Sequence, residues 1–326
     1  MPETNANLTP AVTRVADHSP RIAVLIPCHN EEVAIGNVVS GFAIALPTAS
    51  IYVYDNNSTD KTMAKARAAG AIVAQETLQG KGNVVRRMFS DIDADVYVLV
   101  DGDDTYDAAS AQAMIDLLYS ECVDMVTGTR VTEIVAAYRR GHRFGNVALT
   151  GIVRFVFGSR ITDMLSGYRV FSRRFVKTFP ALSSGFETET ELTIHALELR
   201  MPLAEMETQY RDRAEGSSSK LSTYKDGARI LLTIVTLIKE ERPLQFFTVI
   251  SLVVFVTAMV LGFPLVLEFH RTHLVPRLPT AILSAAMVMI SFLSFVCGLV
   301  MDTLSRARKE IKRLAYLSIQ PPRRTM

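Results

Sequence analysis

The run VYVLVDGDD, residues 96–104, decides the fold. It joins an apolar stretch, Val96–Val100, to a turn that contains Asp101, Gly102 and Asp103. Val96–Val100 is rich in β-branched residues and is the strongest strand candidate in the chain. In open α/β sheets, ligands bind beyond the carboxyl ends of the strands. The acidic turn is therefore predicted to lie at a ligand-binding edge.

Short β-branched runs alternate with helix-like stretches on both sides of this turn, over residues 21–130. The predicted strands are Ile22–Ile26, Ile51–Tyr54, Ala71–Ala74, Val96–Val100 and Met125–Thr127. The predicted helices are Glu32–Ala45, Thr59–Ala69 (started by Thr59 and Asp60), Asn83–Asp91 and Ala108–Tyr119. Strands that alternate with helices indicate an α/β domain with a mostly parallel sheet, covered on both faces.

Three more polar clusters follow predicted strands or open a helix: PCHNEE (residues 27–32), DNNSTD (55–60) and GKGN (80–83). Taken singly, each is typical of a turn, a helix cap or a flexible loop, and a lone D-x-D is common by chance. Together they are predicted to share one edge of the sheet. Carboxylates crowded at one edge repel each other unless a cation or ligand donors compensate, which favours a binding site.

The acidic turn has the chemistry of a divalent-cation site. Asp101 and Asp103 supply two carboxylates that can hold one hard cation, Mg²⁺ or Mn²⁺, with positions left for phosphate oxygens. Such a metal would neutralise a diphosphate as a leaving group. Asp55, at a strand end, is placed to accept hydrogen bonds from a base or ribose, and Lys81, near a helix start, adds positive charge near phosphates.

Two common nucleotide-binding motifs are missing from the sequence. No G-x-x-x-x-G-K-[ST] run occurs, and no G-x-G-x-x-G follows the first predicted strand. These observations argue against a P-loop NTPase and a dinucleotide oxidoreductase.

Two long uncharged runs, Pro243–Leu267 and Leu278–Met301, predict a transmembrane hairpin. Each is longer than the roughly 20 residues that cross a bilayer core. Residues 268–277 form a short loop between them. The alternative, two core helices of a soluble protein, is disfavoured because such helices rarely stay uncharged for so long.

Charge around the hairpin predicts its orientation. The basic residues of the tail, 302–326, outnumber Asp302 and Glu310, while the loop holds only Arg271 and Arg277. The basic residues of the tail are Arg306, Arg308, Lys309, Lys312, Arg313, Arg323 and Arg324. The positive-inside bias then places both termini and the catalytic domain in the cytoplasm, at the inner (plasma) membrane.

The remaining segments and the composition narrow the class of protein. Residues 222–242 are amphipathic and favour either an interfacial helix or a helix packed on the soluble domain. Residues 1–20 are polar, which predicts a disordered leader and excludes a signal peptide. A net charge of +2 gives no support to nucleic-acid binding by bulk charge. Three distant cysteines form neither a disulfide framework nor a zinc spacing, which favours a reducing compartment.

In their order, these clusters resemble the family 2 glycosyltransferases with a GT-A fold, and within them the polyprenyl-phosphate group that includes dolichyl-phosphate mannose synthase and bacterial undecaprenyl-phosphate sugar transferases. The matching pieces cover most of residues 21–221. They are VLIPCHNEE (24–32), YDNNSTDKT (54–62), GKGN (80–83), VDGDDTYD (100–107), DMLSGYRVF (163–171) and YRDRAEGSSSKL (210–221).

The resemblance implies a GT-A catalytic domain, 21–221, and an inverting transfer from a nucleotide-diphosphate sugar to a membrane polyprenyl phosphate. The residues it implies for the donor are Pro27, His29, Glu31, Asp55, Asn57, Lys81, Gly102, Arg213 and Lys220; those for the metal are Asp101, Asp103 and Thr105. Asn56 replaces a more usual second Asp, which is expected to alter base contacts. One extra Ser in the last motif leaves the register between Arg211 and Arg213 open.

The acceptor side is predicted from an arginine cluster, Arg130, Arg139, Arg140 and Arg143, since arginine suits phosphate geometry. The resemblance implies that Arg130 and Arg143, with Asn146, hold the lipid phosphate. It also implies that Glu189 or Glu191, in a helix predicted over 185–199, faces the sugar or acceptor; helix-dipole complementarity is the alternative account of these acids. The residues expected to carry catalysis are Asp101, Asp103, Arg130, Arg143 and Glu189.

The proposed acceptor phosphate can react without a general base. A phosphate whose second pKa is about 6 is largely dianionic at neutral pH and needs no general base. Ser166, Gly167 and Tyr168 are expected to shape the sugar pocket, and His29 and His195 to be neutral hydrogen-bonding groups rather than metal ligands.

A processive polysaccharide synthase is disfavoured because the chain has no Trp for a Q-x-x-R-W motif. A non-catalytic scaffold that binds nucleotide sugars is the other alternative. The sugar, the base (UDP or GDP), the acceptor (undecaprenyl or dolichyl) and homo-oligomerisation stay open.

Overall fold

The computed structural model describes residues 19–131, 161–181, 187–211 and 242–322, together with 236, 239 and 240. In these residues the strands are β1 (Ile22–Cys28), β2 (Ser50–Asp55), β3 (Ile72–Gln75), β4 (Val96–Leu99), β5 (Met125–Val131), β6 (Arg169–Ser172) and β7 (Leu203–Gln209). The helices are α1 (Ile35–Ala45), α2 (Thr62–Ala68), α3 (Lys81–Asp91), α4 (Ser110–Ser120), α5 (Arg173–Thr178), α6 (Thr188–Glu198), α7 (Pro243–Thr272) and α8 (Leu278–Leu317).

The described strands form one mixed sheet in the order β3-β2-β1-β4-β6-β5-β7. β6 runs antiparallel to both of its neighbours, and the other pairs are parallel. The predicted α/β class with a mostly parallel sheet is therefore confirmed. Each of the five predicted strands exists, with ends shifted by up to four residues.

Strands β6 and β7 are not among the predicted strands. β6 is only four residues long and lies inside the DMLSGYRVF motif. β7 carries Glu205 and Glu207 among its apolar residues. Neither gives the uncharged β-branched run on which the prediction relied.

Alternation along the strands creates two apolar layers, one on each face of the sheet. In β1, Val24 and Ile26 pack with α1 and α4, while Ala23 and Leu25 pack with α3 and α6 on the opposite face. Successive side chains of a strand point to opposite faces, so a strand with apolar residues at consecutive positions is covered by helices on both sides. This packing fixes the carboxyl edge of the sheet, where the polar clusters emerge.

Helix α2 begins at Thr62, three residues after the predicted start at Thr59. The preceding residues are engaged elsewhere: the Thr59 amide donates to Asn30 Oδ1 at 2.8 Å. The carboxylate of Asp60 accepts the Thr62 amide at 2.9 Å. Asp60 therefore supports the helix start as predicted, although the helix itself begins two residues later.

Helices α7 and α8 pack as an antiparallel hairpin. Ser251 and Ser291 exchange hydrogen bonds, each hydroxyl donating to the other residue's carbonyl at 2.9 Å. A Cβ added at Gly298 would lie 2.9 Å from Phe247 Cβ, so a glycine permits the close approach of the helices. Both helices are long and apolar enough to cross a membrane, and only 11% and 17% of their most apolar windows is buried. They are thus not core helices of the described domain.

Helix α8 does not end near Met301, the predicted end of the second apolar run. It continues to Leu317 as one helix of 40 residues. Asp302 and Arg306 form an ion pair at 2.7 Å, one turn apart on this extension. The extension then contacts the sheet domain through Lys312 and Tyr316. The sheet domain and the end of α8 consequently lie at the same end of the hairpin.

Much of the predicted flanking structure falls outside the described residues. This applies to residues 1–18 of the predicted leader and to most of the predicted interfacial helix, 222–242.

His195 lies inside the second apolar layer and packs against the rings of Phe175 and Phe179. Burial, with a smaller contribution from the charge of Lys312, lowers its pKa to about 3. The imidazole is therefore neutral at ordinary pH, as predicted. In the unfolded chain a histidine titrates near 6.5, so between about 6.5 and 3 the unfolded state binds more protons. Stability that is present above pH 6.5 is lost as the pH falls.

His195→Gln is expected to flatten the pH dependence of thermal unfolding. At pH 5.5 the neutral imidazole costs the wild type about 1.4 kcal/mol of stability that the variant does not lose. The measurement is Tm of the full-length protein in detergent between pH 7.5 and 5.5. His270→Gln, at an exposed histidine near the end of α7, is the control and should follow the wild type. Parallel curves for wild type and His195→Gln would contradict the prediction.

Candidate functional site

The polar clusters meet at the carboxyl edge of the sheet, as the sequence predicts. The first two clusters are joined through the loops after β1 and β2. The Asn56 amide donates to the carbonyl of Cys28 at 2.8 Å, and the Asn30 amide donates to Ser58 Oγ at 2.8 Å. The Glu31 amide donates to Thr62 Oγ1 at 2.9 Å. These bonds hold the two loops together as one wall of the site.

Asn56 joins the second cluster to the third. Its side-chain amide donates to the carbonyls of Glu76 and Leu78, at 2.9 and 2.8 Å, and its oxygen accepts the Gly80 amide at 2.7 Å. The side chain is 4% exposed. Asn56 therefore fixes the loop that leads into α3, and the expectation that its replacement of Asp alters base contacts stays a prediction.

Lys81 joins the third cluster to the acidic turn. Its ammonium donates to the carboxylates of Asp101 and Glu189. Burial by itself lowers the pKa of Lys81, but the two carboxylates outweigh burial and raise the pKa above its ordinary value. The compensating cation that crowded carboxylates require is thus supplied by the chain itself.

The contact with Lys81 places one of the two candidate glutamates of α6, Glu189, at the acidic turn. Glu189 is buried, and its carboxylate accepts a hydrogen bond from Lys81. Lys81 was expected to lie near donor phosphates; here its ammonium lies between two carboxylates of the site.

In the acidic turn, Asp101 is partly exposed and Asp103 is 4% exposed. Thr105 donates its hydroxyl to Asp103 Oδ1 at 2.7 Å. Within the described residues, no three His, Cys, Asp or Glu side chains converge as a complete metal cage. Two carboxylates on one turn suit a hard cation whose other positions are taken by ligand phosphates and water. The donor set fits Mg²⁺ or Mn²⁺, and Thr105 orients Asp103.

Gly102 and Gly167 allow close packing around Asp101. A Cβ added at Gly102 would lie 2.5 Å from Cys28 Sγ, and one added at Gly167 would overlap the carboxylate of Asp101. The Gly167 amide donates to Tyr106 Oη at 2.8 Å, which fixes the loop before β6 against the turn. Gly167 therefore acts as a wall behind the Asp101 carboxylate.

Gly167→Ala is expected to displace the Asp101 carboxylate and to lower turnover by about a hundredfold, since misplacement of a site group by about 1 Å has an effect of this size. The fold should persist, because only one methyl group is added beside a partly exposed side chain. Turnover and Tm of the purified full-length variant test this. Gly36→Ala is the control, because nothing lies within 4 Å of a Cβ there. Equal turnover in both variants would contradict the role of Gly167.

Arg169 was not singled out from the sequence, although it lies in the DMLSGYRVF motif. It is fully buried and donates to the carbonyls of Ser166 and Met164, at 3.0 and 2.7 Å, and to Thr193 Oγ1 at 2.8 Å. Arg169 thereby ties the loop that holds Gly167 to the helix that holds Glu189. The motif match was the signal that could have identified it.

Asp55 is the last residue of β2 and lies at the carboxyl edge of the sheet. It is 0% exposed, and one carboxylate oxygen accepts the Ser58 amide at 2.9 Å. The other oxygen, Oδ1, is buried and has no hydrogen-bond partner among the described residues. Buried acceptors are rarely left unpaired, so this oxygen is suited to a hydrogen bond from a ligand.

The other predicted donor residues lie around Asp55 at the same edge. Pro27 pairs with Tyr54 in the register of β1 and β2. His29 and Glu31 follow in the next loop and are partly buried. Asn57 uses its side-chain amide to donate to the carbonyl of Thr77 at 2.9 Å. Arg213 and Lys220 lie outside the described residues.

Arg130, at the end of β5, is held by Asp163. Two guanidinium nitrogens donate to the two carboxylate oxygens at 2.8 Å each, and the guanidinium lies 5.6 Å from the ring centroid of Tyr210. Burial raises the pKa of Asp163, but the bonds to Arg130 outweigh burial and lower it. A phosphate at Arg130 would share the guanidinium with Asp163. Arg139, Arg140, Arg143 and Asn146 lie outside the described residues.

Comparisons with known proteins agree on the class of this chain. Residues 23–179 match the model of glycosyl transferase family 2. Glycosyltransferase AglJ of Haloferax volcanii is 31% identical over 91% of this chain and 98% of its own length. A protein of the same organism named dolichyl-phosphate hexose transferase is 30% identical over 68% of this chain and 95% of its own length.

The fold is shared with glucosyl-3-phosphoglycerate synthase of Mycobacterium tuberculosis, crystallised with Mn²⁺, UDP-glucose and phosphoglyceric acid. The TM-score is 0.57 at 21% identity, and the match covers 68% of this chain and 79% of that one. At this identity the likeness concerns the fold alone.

Proposed function

The chain belongs to glycosyltransferase family 2, and from that membership we propose that it transfers a hexose or N-acetylhexosamine from a nucleotide-diphosphate sugar to a membrane polyprenyl phosphate, with inversion at the anomeric carbon. One observation carries the proposal. A single chain combines a carboxylate edge suited to a sugar nucleotide with a C-terminal hairpin long enough to cross a bilayer.

The donor side is supported by the arrangement around Asp55 and Asp101. The buried Oδ1 of Asp55 would accept a hydrogen bond from the base or ribose. Asp101 and Asp103, with Thr105 orienting the latter, would hold a divalent cation against the diphosphate. That cation, when bound, neutralises charge that develops on the leaving nucleoside diphosphate.

The acceptor side is supported by the hairpin and by the name of one relative, a dolichyl-phosphate hexose transferase. A polyprenyl phosphate keeps its chain in the bilayer and its phosphate at the surface. Arg130, with Arg143, would hold that phosphate, and the bond of Arg130 to Asp163 would set the direction of its guanidinium.

The reaction is a single displacement. A phosphate oxygen of the acceptor forms a bond to the anomeric carbon as the bond from that carbon to the nucleoside diphosphate breaks, which inverts the configuration. Because a phosphate monoester is largely dianionic at neutral pH, no side chain has to remove a proton. The residues of the chain therefore act by positioning and by charge, with Glu189 and Lys81 keeping Asp101 in place.

Basic residues near the hairpin support a cytoplasmic location for the catalytic domain and both termini, at the inner (plasma) membrane. The opposite orientation would place the sheet domain away from cytoplasmic pools of nucleotide sugars.

A donor and acceptor screen tests the proposed function. The purified full-length protein is incubated with single UDP- and GDP-sugars, a short polyprenyl phosphate and Mn²⁺, and lipid products are read by mass. The expected product is the prenyl phosphate plus one sugar residue, lost on addition of EDTA. A long polymer would instead indicate a polysaccharide synthase. Donor binding without turnover on any lipid phosphate would indicate a binding protein.

A further inference from the structure

We propose that the extension of α8 beyond the apolar run, Asp302–Leu317, is a strut that sets the height and tilt of the catalytic edge above the bilayer, with Lys312 and Tyr316 as its positioning residues. The inference rests on the proposed function, because the height of the site matters only if the acceptor is anchored in a membrane. It goes beyond that function by assigning a role to residues far from the reacting groups.

Tyr316 donates a hydrogen bond to the buried carboxylate of Asp124. This aspartate precedes β5, is 0% exposed, and accepts hydrogen bonds from three side chains. Ser172 Oγ donates to it at 2.7 Å, and Arg174 donates to both its oxygens at 2.5 and 2.7 Å. Tyr316 Oη completes the set at 2.7 Å, and its ring lies 4.5 Å from the Arg174 guanidinium.

Lys312 makes a second contact, one turn earlier on the same face of α8. Its ammonium donates to Glu198 at 2.7 Å. The side chain of Glu198 is 2% exposed. A carboxylate this deeply buried needs a charged partner, so the lysine of the strut completes the end of α6. The two contacts fix both the rotation of α8 and its position along its axis.

The face of the strut that carries Ile311, Leu314 and Leu317 does not dock onto the domain. Ile311, Leu314 and Leu317 are 69%, 69% and 66% exposed. The docking face carries Lys312 and Tyr316, whose ring also packs against the second apolar layer, so these two side chains are the ones to change.

The lengths suit a strut. Tyr316 lies about 22 Å along the helix from Met301, at about 1.5 Å per residue. β5 spans about 20 Å from the edge near Asp124 to the edge near Arg130, at about 3.3 Å per residue. Asp124 lies at the amino edge of the sheet, opposite the acidic turn. The two lengths are nearly equal, so a strut docked at the amino edge is long enough to leave the catalytic edge at the membrane surface.

The test compares two acceptors on the full-length protein with donor in excess. One acceptor is a long polyprenyl phosphate in liposomes, and the other is a short, water-soluble prenyl phosphate. Changing Lys312 and Tyr316 together to Ala, in a Glu198→Gln background that leaves no buried charge without its partner, should lower kcat/KM by about tenfold or more for the embedded acceptor relative to that background. The soluble acceptor should be used within about twofold of wild type, with an unchanged KM for the donor, because the site itself is intact.

Two matched variants sharpen the test. Leu314→Ala, on the exposed face of the strut, should behave as wild type. Tyr316→Phe keeps the ring beside Arg174 and loses the bond to Asp124, so it should fall between wild type and the double variant. An equal loss with both acceptors, or no loss with the embedded one, would overturn the role of the strut.

A distance measurement separates failure of the strut from failure of the proposed function. A donor fluorophore at Ile44→Cys, which is 80% exposed, is paired with acceptor lipids in liposomes after Cys122 and Cys297 are changed to Ser. The double variant should shift energy transfer relative to wild type even if no lipid phosphate is a substrate. If the wild type uses neither acceptor but the shift occurs, the proposed function fails and the strut stands. Identical energy transfer in both proteins would contradict the proposal that the strut sets the height of the domain above the bilayer.

Discussion

Asp101→Asn and Asp103→Asn will each lower turnover by about a thousandfold while the protein stays folded. Both changes keep the size of the side chain and remove a negative charge that would bind the divalent cation. The cation in turn would bind the diphosphate. Loss of preorganised electrostatic groups of this kind costs about 10²- to 10³-fold in turnover. Because Lys81 keeps Glu189 as a charged partner when the charge of Asp101 is removed, Asp101→Asn should change Tm little.

The measurement is single-sugar transfer at a fixed Mn²⁺ concentration, with Mn²⁺ affinity read separately by calorimetry. Asp104→Asn, in the same turn, is the matched control, since Asp104 lies outside the proposed metal pair and has φ 59°, which asparagine also tolerates. Near-normal turnover in both Asp variants, together with no effect of EDTA on the wild type, would defeat the metal assignment.

The second large effect is expected at Lys81. Lys81→Met leaves the carboxylates of Asp101 and Glu189 facing each other without the ammonium between them. Removing one member of a buried ion pair costs about 3–5 kcal/mol, because the remaining charge is left uncompensated. Both Tm and turnover should fall, turnover by about a hundredfold or more, since Asp101 would move away from the diphosphate site.

A second substitution separates the two consequences. Glu189→Gln added to Lys81→Met removes one of the opposed charges and should recover most of the lost Tm, while turnover stays low. Lys65→Met, at an exposed lysine of α2, should leave both quantities unchanged. A double variant less stable than Lys81→Met alone would show that charge repulsion is not the cause.

The edge of the sheet could be predicted from sequence because its signals are local. The strand Val96–Leu99 and the turn after it are contiguous, and a strand that ends in polar residues places them at its carboxyl edge whatever its neighbours are. Asp55, Asp101 and Asp103 were assigned in this way. The site role of each is still a proposal.

Other features could not be predicted because they depend on contacts with residues that are distant in the sequence. The sequence does not show that the side-chain amide of Asn56 bonds the loop before α3, because its partners lie 20 or more residues away. Strand β6, with Arg169, is too short and too polar at its start to be distinguished from a loop. The end of α8 looks like a basic tail, but ion pairing within the helix and docking onto Asp124 continue it to Leu317.

By itself the sequence determined which chemical groups gather at the carboxyl edge, because strand burial and turn position are properties of short contiguous segments. Only the tertiary structure decided how those groups are paired. Lys81 and Glu189 are 108 residues apart, and Asp124 and Tyr316 are 192 apart. Any carboxylate can accept a hydrogen bond from an ammonium or a phenol. Which carboxylate does so depends on the packing of elements that are distant in sequence, and no local pattern encodes that packing.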